Sequence, residues 1–143
     1  MNRFLIYSLL LCFCTASAQK MDHSEWTKIL KIHVSNTGKV NYKGLLSNRK
    51  PLSKYLDALA LNAPKDKWSD SDKKAFWINA YNAYTIQLIL DNYPAESIKD
   101  INDPWGQTFF EIGGKTISLN TIEHKILRPM GDSRIHFAIV CAS

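Results

Sequence analysis

Between residues 75 and 90, apolar side chains cover nearly every face of one helical stretch. A helix that is apolar all round lies inside a domain rather than on its surface. Just upstream, Ser69, Asp70, Ser71 and Asp72 can cap the open amides of the first turn, and the carboxylates suit the positive end of the helix dipole. Pro94 marks the other end. A chain with such a segment must wrap its remaining elements around it.

Those elements are legible to different degrees. Asp22-His-Ser-Glu25 resembles a capping box and is followed by Trp26, Ile29, Leu30 and His33 at helical spacing, with Asn36-Thr37-Gly38 closing the segment. Pro51 opens a second helical pattern through Leu52, Tyr55, Leu56 and Leu59 that stops before Pro64. Val40-Asn41-Tyr42 is too short to classify, and residues 97–101 have room for one further turn. The paired glycines Gly113 and Gly114 sit between two short β-prone runs, 109–112 and 115–119, which predicts a tight hairpin. Asn120-Thr121-Ile122-Glu123 reads as the cap of a short helix that runs to Leu127 and halts at Arg128-Pro129. Residues 135–140, rich in β-branched side chains, predict a final strand. Helices first and strands late give an α+β fold: a single domain with a buried central helix, amphipathic helices and a small, mostly antiparallel sheet made by the hairpin and the C-terminal strand.

The first 18 residues read as an export signal. Arg3 supplies the positive start, residues 4–14 an apolar run, and Ala16-Ser17-Ala18 a small-residue cleavage site. The run is shorter than the roughly 20 residues of a membrane span, and no later segment is long enough to be one. The expected mature domain is therefore residues 19–143, exported to a periplasmic or extracellular location. Loss of Arg3 lowers the formal net charge from +5 to +4, and the lysines are scattered among acidic residues, so nucleic acid is not an expected partner. An unknown small molecule or peptide is, and the oligomeric state is left open.

Of three cysteines, Cys12 and Cys14 fall in the leader, leaving Cys141. No intramolecular disulfide is then available to the mature chain, and multi-cysteine metal sites are excluded. A lone thiol in an oxidising compartment is buried and inert, paired between chains, or reactive. At its ordinary pKa of about 8.5 only about 3% is ionised at pH 7, so a nucleophilic Cys141 needs a base or a positive field nearby. His136 is the neighbour in sequence. Along a regular strand, however, five residues at about 3.3 Å put the two backbones roughly 16 Å apart, and the odd separation sends the side chains to opposite faces. His124, or a residue beyond Ser143, is the alternative base.

Two further polar groups stand out. Asn79 and Asn82, three apart on the central helix, need hydrogen-bond partners: a neighbouring backbone segment, a water or a ligand. Glu123, His124 and Arg128 crowd the short helix, with His124 and Arg128 four apart and so on one α-helical face; Arg134 and His136 join them if the last strand packs alongside. This set reads either as a structural ion-pair cluster or as a site. It lacks a metal-ligand spacing motif, and neither a metal nor another cofactor is expected.

Taken together, Ala75-Phe-Trp-Ile-Asn-Ala-Tyr-Asn-Ala83, Ser118-Leu-Asn-Thr-Ile-Glu-His124, Leu127-Arg-Pro129 and Arg134-Ile-His-Phe-Ala-Ile-Val-Cys-Ala-Ser143 resemble the domain of unknown function 547 family, from about Trp26 to the terminus. In relatives the segment resembling residues 137–143 continues into a Cys-Pro element and a further C-terminal portion, so the resemblance implies a fragment. The family has no established activity. Three readings follow. In a thiol-dependent hydrolase or acyl-transferase, Cys141 is the nucleophile and His124 the base, with Glu123 or Asn79 orienting groups and Arg128 or Arg134 holding an anionic part of the substrate. The second is a non-catalytic envelope binding or interaction module. The third is a thiol redox protein, if a further C-terminal part supplies a second cysteine.

Overall fold

The computed structural model describes residues 20–140 and 142; the expected export signal, Cys141 and Ser143 lie outside the described residues. In chain order the structure runs α1 (Ser24–His33), α2 (Tyr42–Ser47), α3 (Lys50–Leu61), α4 (Asp70–Asp91), a 3-10 turn (Ile98–Asp100), the hairpin β1 (Phe110–Ile112) and β2 (Lys115–Ile117), a π-helix (Thr121–Leu127) leading into a 3-10 turn (Arg128–Met130), and α5 (Ile135–Ala138).

The central helix is α4. Its start is set by Ser69, whose hydroxyl accepts the Asp72 amide at 3.1 Å while donating to the Asp72 carboxylate at 2.7 Å. Phe76, Ala80, Tyr81, Ala83, Thr85, Leu88 and Ile89 of this helix are all buried. Around it pack α2, α3 and the π-helix, with α1 laid across α2 and α3. Pro51 occupies the first turn of α3, where a missing amide hydrogen costs nothing. In α1, Trp26 stacks on Tyr55 of α3 with ring centroids 5.3 Å apart and planes 6° from parallel.

The hairpin is antiparallel, with Phe110 opposite Ile117 and Ile112 opposite Lys115. Both turn glycines have positive φ, +61° and +74°. Gly113 is doubly required, because its amide donates to Ala60 of α3 at 2.9 Å and a Cβ there would meet the Ala63 side chain at 2.8 Å. Tyr84 of α4 stacks on Phe110, centroids 3.8 Å apart, which fastens the hairpin to the core.

Three local expectations change. Val40-Asn41-Tyr42 resolves into a single antiparallel bridge, Val34 with Val40, followed by α2, which the Asn41 side chain caps by accepting the Gly44 amide at 2.9 Å. The cap of the π-helical segment is Ser118, not Asn120: its hydroxyl accepts the Thr121 amide at 3.2 Å, and the chain is already helical at Leu119. Finally, the expected strand over residues 135–140 is a single helical turn, α5, so the sheet has two strands. Composition pointed to a strand, but burial decided otherwise. The Ile139 amide bonds to the Ile135 carbonyl at 2.9 Å, and these two side chains, four apart, face the core while Phe137 stands 92% exposed. The Asp132 carboxylate starts the turn by accepting the Arg134 amide at 3.1 Å.

Before α1, the half-buried His23 places Nδ1 2.7 Å from the Tyr55 hydroxyl and its ring 6.3 Å from Phe76. Burial pushes its pKa below the ordinary 6.5, with Asp22 opposing that shift. The unfolded chain thus binds this proton more readily than the folded one. The contribution to stability is complete above about pH 6.5 and is lost as pH falls through the depressed folded value. Denaturation midpoints measured between pH 7.5 and 5 should fall with pH, and His23→Phe should flatten that slope; an unchanged slope would refute the assignment.

Candidate functional site

Asn82, in the middle of α4, holds the C-terminal segment. Its Nδ2 donates to the Ala138 carbonyl and its Oδ1 accepts the Val140 amide, both at 2.9 Å. A primary amide has the donor and acceptor of a peptide group, so Asn82 satisfies a carbonyl and an amide two residues apart as a neighbouring strand would. Ile139, just after α5, is extended, and no strand of the sheet pairs with it. The side chain of Asn79, one turn earlier and half-buried, makes no hydrogen bond among the described residues.

Beside this contact lies an apolar cavity of about 260 Å³. Trp26 and Leu30 of α1, the bridge residues Val34 and Val40, and Tyr42 form one wall; Asn82, Thr85 and Ile86 of α4 form another. Val140 and Ala142, the residues on either side of Cys141, complete the lining. The Thr85 hydroxyl is already used, donating to the Tyr81 carbonyl at 2.8 Å.

The polar residues of the π-helix are arranged differently from an α-helical reading. With i to i+5 spacing, the Arg128 amide bonds to the Glu123 carbonyl. The same spacing brings the Arg128 guanidinium onto the Glu123 carboxylate, with Nη2 at 2.8 Å and Nε at 3.3 Å. Glu123, not His124, is therefore the partner of Arg128. His124 is exposed, as is His136 on α5. Arg134 does not join the Glu123 pair either: Nε and Nη2 grip the two Asp132 oxygens, each at 2.8 Å, and Lys74 of α4 adds a second cation at 2.6 Å. Hydrogen bonds from Arg134 first, then from Lys74, hold the Asp132 carboxyl well below the usual carboxylate range.

Two groups of contacts result. Asn82 joins α4 to the C-terminal segment beside the cavity, while the pairs Glu123–Arg128 and Asp132–Arg134 clamp the turns between the hairpin and α5. With α5 helical, the strand geometry that kept His136 and Cys141 on opposite faces does not apply. Among the described residues no group of three His, Cys, Asp or Glu side chains stands close enough to hold a metal. Sequence reasoning missed the α1 and bridge side of the cavity, whose residues look like ordinary core positions, and it missed Asp132. An acidic residue just after Gly131, two before Arg134, was the available signal for the second.

Residues 65–143 match the family described as "Protein of unknown function, DUF547". The chain belongs to this family. Searches of curated proteins and of solved structures return no match. The DUF547 span contains α4 with Asn79 and Asn82, the hairpin, the π-helix and the C-terminal segment. The wall formed by Trp26, Leu30, Val34, Val40 and Tyr42 precedes it, so the cavity lies where the matched span meets the N-terminal helices.

Removing the Asn82 amide should release the segment it holds. Asn82→Ala is expected to cost about 1 kcal/mol and to raise hydrogen exchange at the Val140 amide by about fivefold or more. Asn79→Ala should leave that amide unchanged. Equal exchange in the two variants, followed by mass spectrometry, would show that Asn82 does not hold the segment.

Proposed function

We propose that this exported DUF547 domain is a thiol-dependent hydrolase or acyl-transferase with Cys141 as its nucleophile. One observation carries the reading: the residues on both sides of Cys141 line the apolar cavity, and Asn82 tethers that same stretch of chain. A substrate lodged there would lie against the segment that bears the thiol. The Cys141 thiolate attacks a carbonyl carbon, the C–S bond forms as the bond to the leaving oxygen or nitrogen breaks, and the base returns the thiol proton to the leaving group. Water, or an acceptor hydroxyl or amine, then attacks the thioester and regenerates the thiol.

His124 is the base in this scheme, with His136 as the other imidazole available. Glu123, held by Arg128, supports the helical turn next to His124, and Arg128 or Arg134, each of which already grips a carboxylate, would hold an anionic substrate group.

A second reading has an observation of its own. Both histidines are exposed and the neighbouring carboxylates are committed to arginines, which is how a non-catalytic binding module would be built. The pH dependence of iodoacetamide labelling, read on the peptide containing Cys141, separates the two. The enzyme reading predicts a thiol pKa below the ordinary value of about 8.5, moving back toward it in His124→Gln. A pKa at or above that value, unchanged in His124→Gln, leaves the binding module.

A further inference from the structure

The cavity itself carries a further inference, which rests on the reading of this region as a binding site. We propose that it takes an uncharged hydrocarbon group of about ten carbons, the apolar part of the substrate. No charged side chain lines it, which excludes sugars, nucleotides and other groups that need several polar contacts or a counter-ion. Its polar lining is largely spent: Asn82 on the backbone of residues 138 and 140, Thr85 on its own helix. The Tyr42 hydroxyl makes no hydrogen bond among the described residues. It offers one donor to a single carbonyl or ether oxygen at the end of the hydrocarbon, and burial pushes its pKa up, so it stays protonated.

Volume sets the size of the group. An apolar cavity of about 150 Å³ accepts benzene, and the same proportion gives about ten carbons here for 260 Å³. Both an extended acyl chain and a fused aromatic pair meet these requirements through the same chemistry.

The test is direct binding of n-alcohols from six to twelve carbons, and of 2-naphthol, by calorimetry. It is made on the full chain carrying Cys141→Ala, so that a failure of thiol chemistry leaves it untouched. Affinity should rise about three- to fourfold per methylene and level off near ten carbons; tighter binding of 2-naphthol than of decanol would assign the aromatic form. Leu30→Trp and Val40→Phe, which fill the cavity from α1 and from the bridge, should each weaken binding at least tenfold while circular dichroism stays unchanged. Absence of binding by both probe classes, affinity indifferent to chain length, or folded filling variants that bind as well as the parent would overturn the proposal. Should either variant fail to fold, the chain-length series decides alone. Normal thiol reactivity with intact binding would instead remove the enzyme reading and leave this one standing.

Discussion

The fold depends on covering α4. The 22-residue helix carries apolar side chains on nearly all faces between residues 75 and 90, a stretch that cannot meet water on any broad side, and each neighbouring element supplies part of the cover. The α2 and α3 helices take one side, the π-helix another, and the hairpin reaches it through Tyr84 stacked on Phe110. The few polar atoms that α4 carries inward must find partners within this shell. Thr85 finds one in its own helix, and Asn82 finds two in the C-terminal backbone. The requirement that buries the helix also determines where the last residues of the chain run.

How far the sequence reveals this depends on the range of each signal. The Ser69 cap, Pro51 in the first turn of α3 and the Gly113-Gly114 turn depend on a few adjacent residues, and each stands where local chemistry places it. Residues 135–140 failed because β-branched composition is a weak preference that burial overrides. Ile135 and Ile139 reach the core together only if the chain turns once. The short helix ends at Leu127 as its sequence predicts, but its spacing was not legible: no local rule distinguishes five-residue from four-residue spacing, yet that one residue moves Arg128 from His124 to Glu123.

The candidate site was legible in its parts and not in its grouping. Asn82, Glu123, Arg128 and Arg134 all stood out as polar residues in apolar surroundings, and all make specific contacts. Their partners, the Ala138 and Val140 backbone and Asp132, depend on the path of the chain after Met130. The cavity is assembled from residues as distant as Trp26 and Val140, so no sequence window contains it. Its position along the edge of the DUF547 span links the matched part of the chain to the helices before it.

The central claim is that the cavity and the thiol form one site. The most direct measurement is the rate of Cys141 alkylation with and without decanol at saturating concentration. A shared site predicts at least tenfold slower alkylation in the filled protein, with the shielding lost in Asn82→Ala. An alkylation rate that does not respond to decanol while decanol is bound would contradict the account.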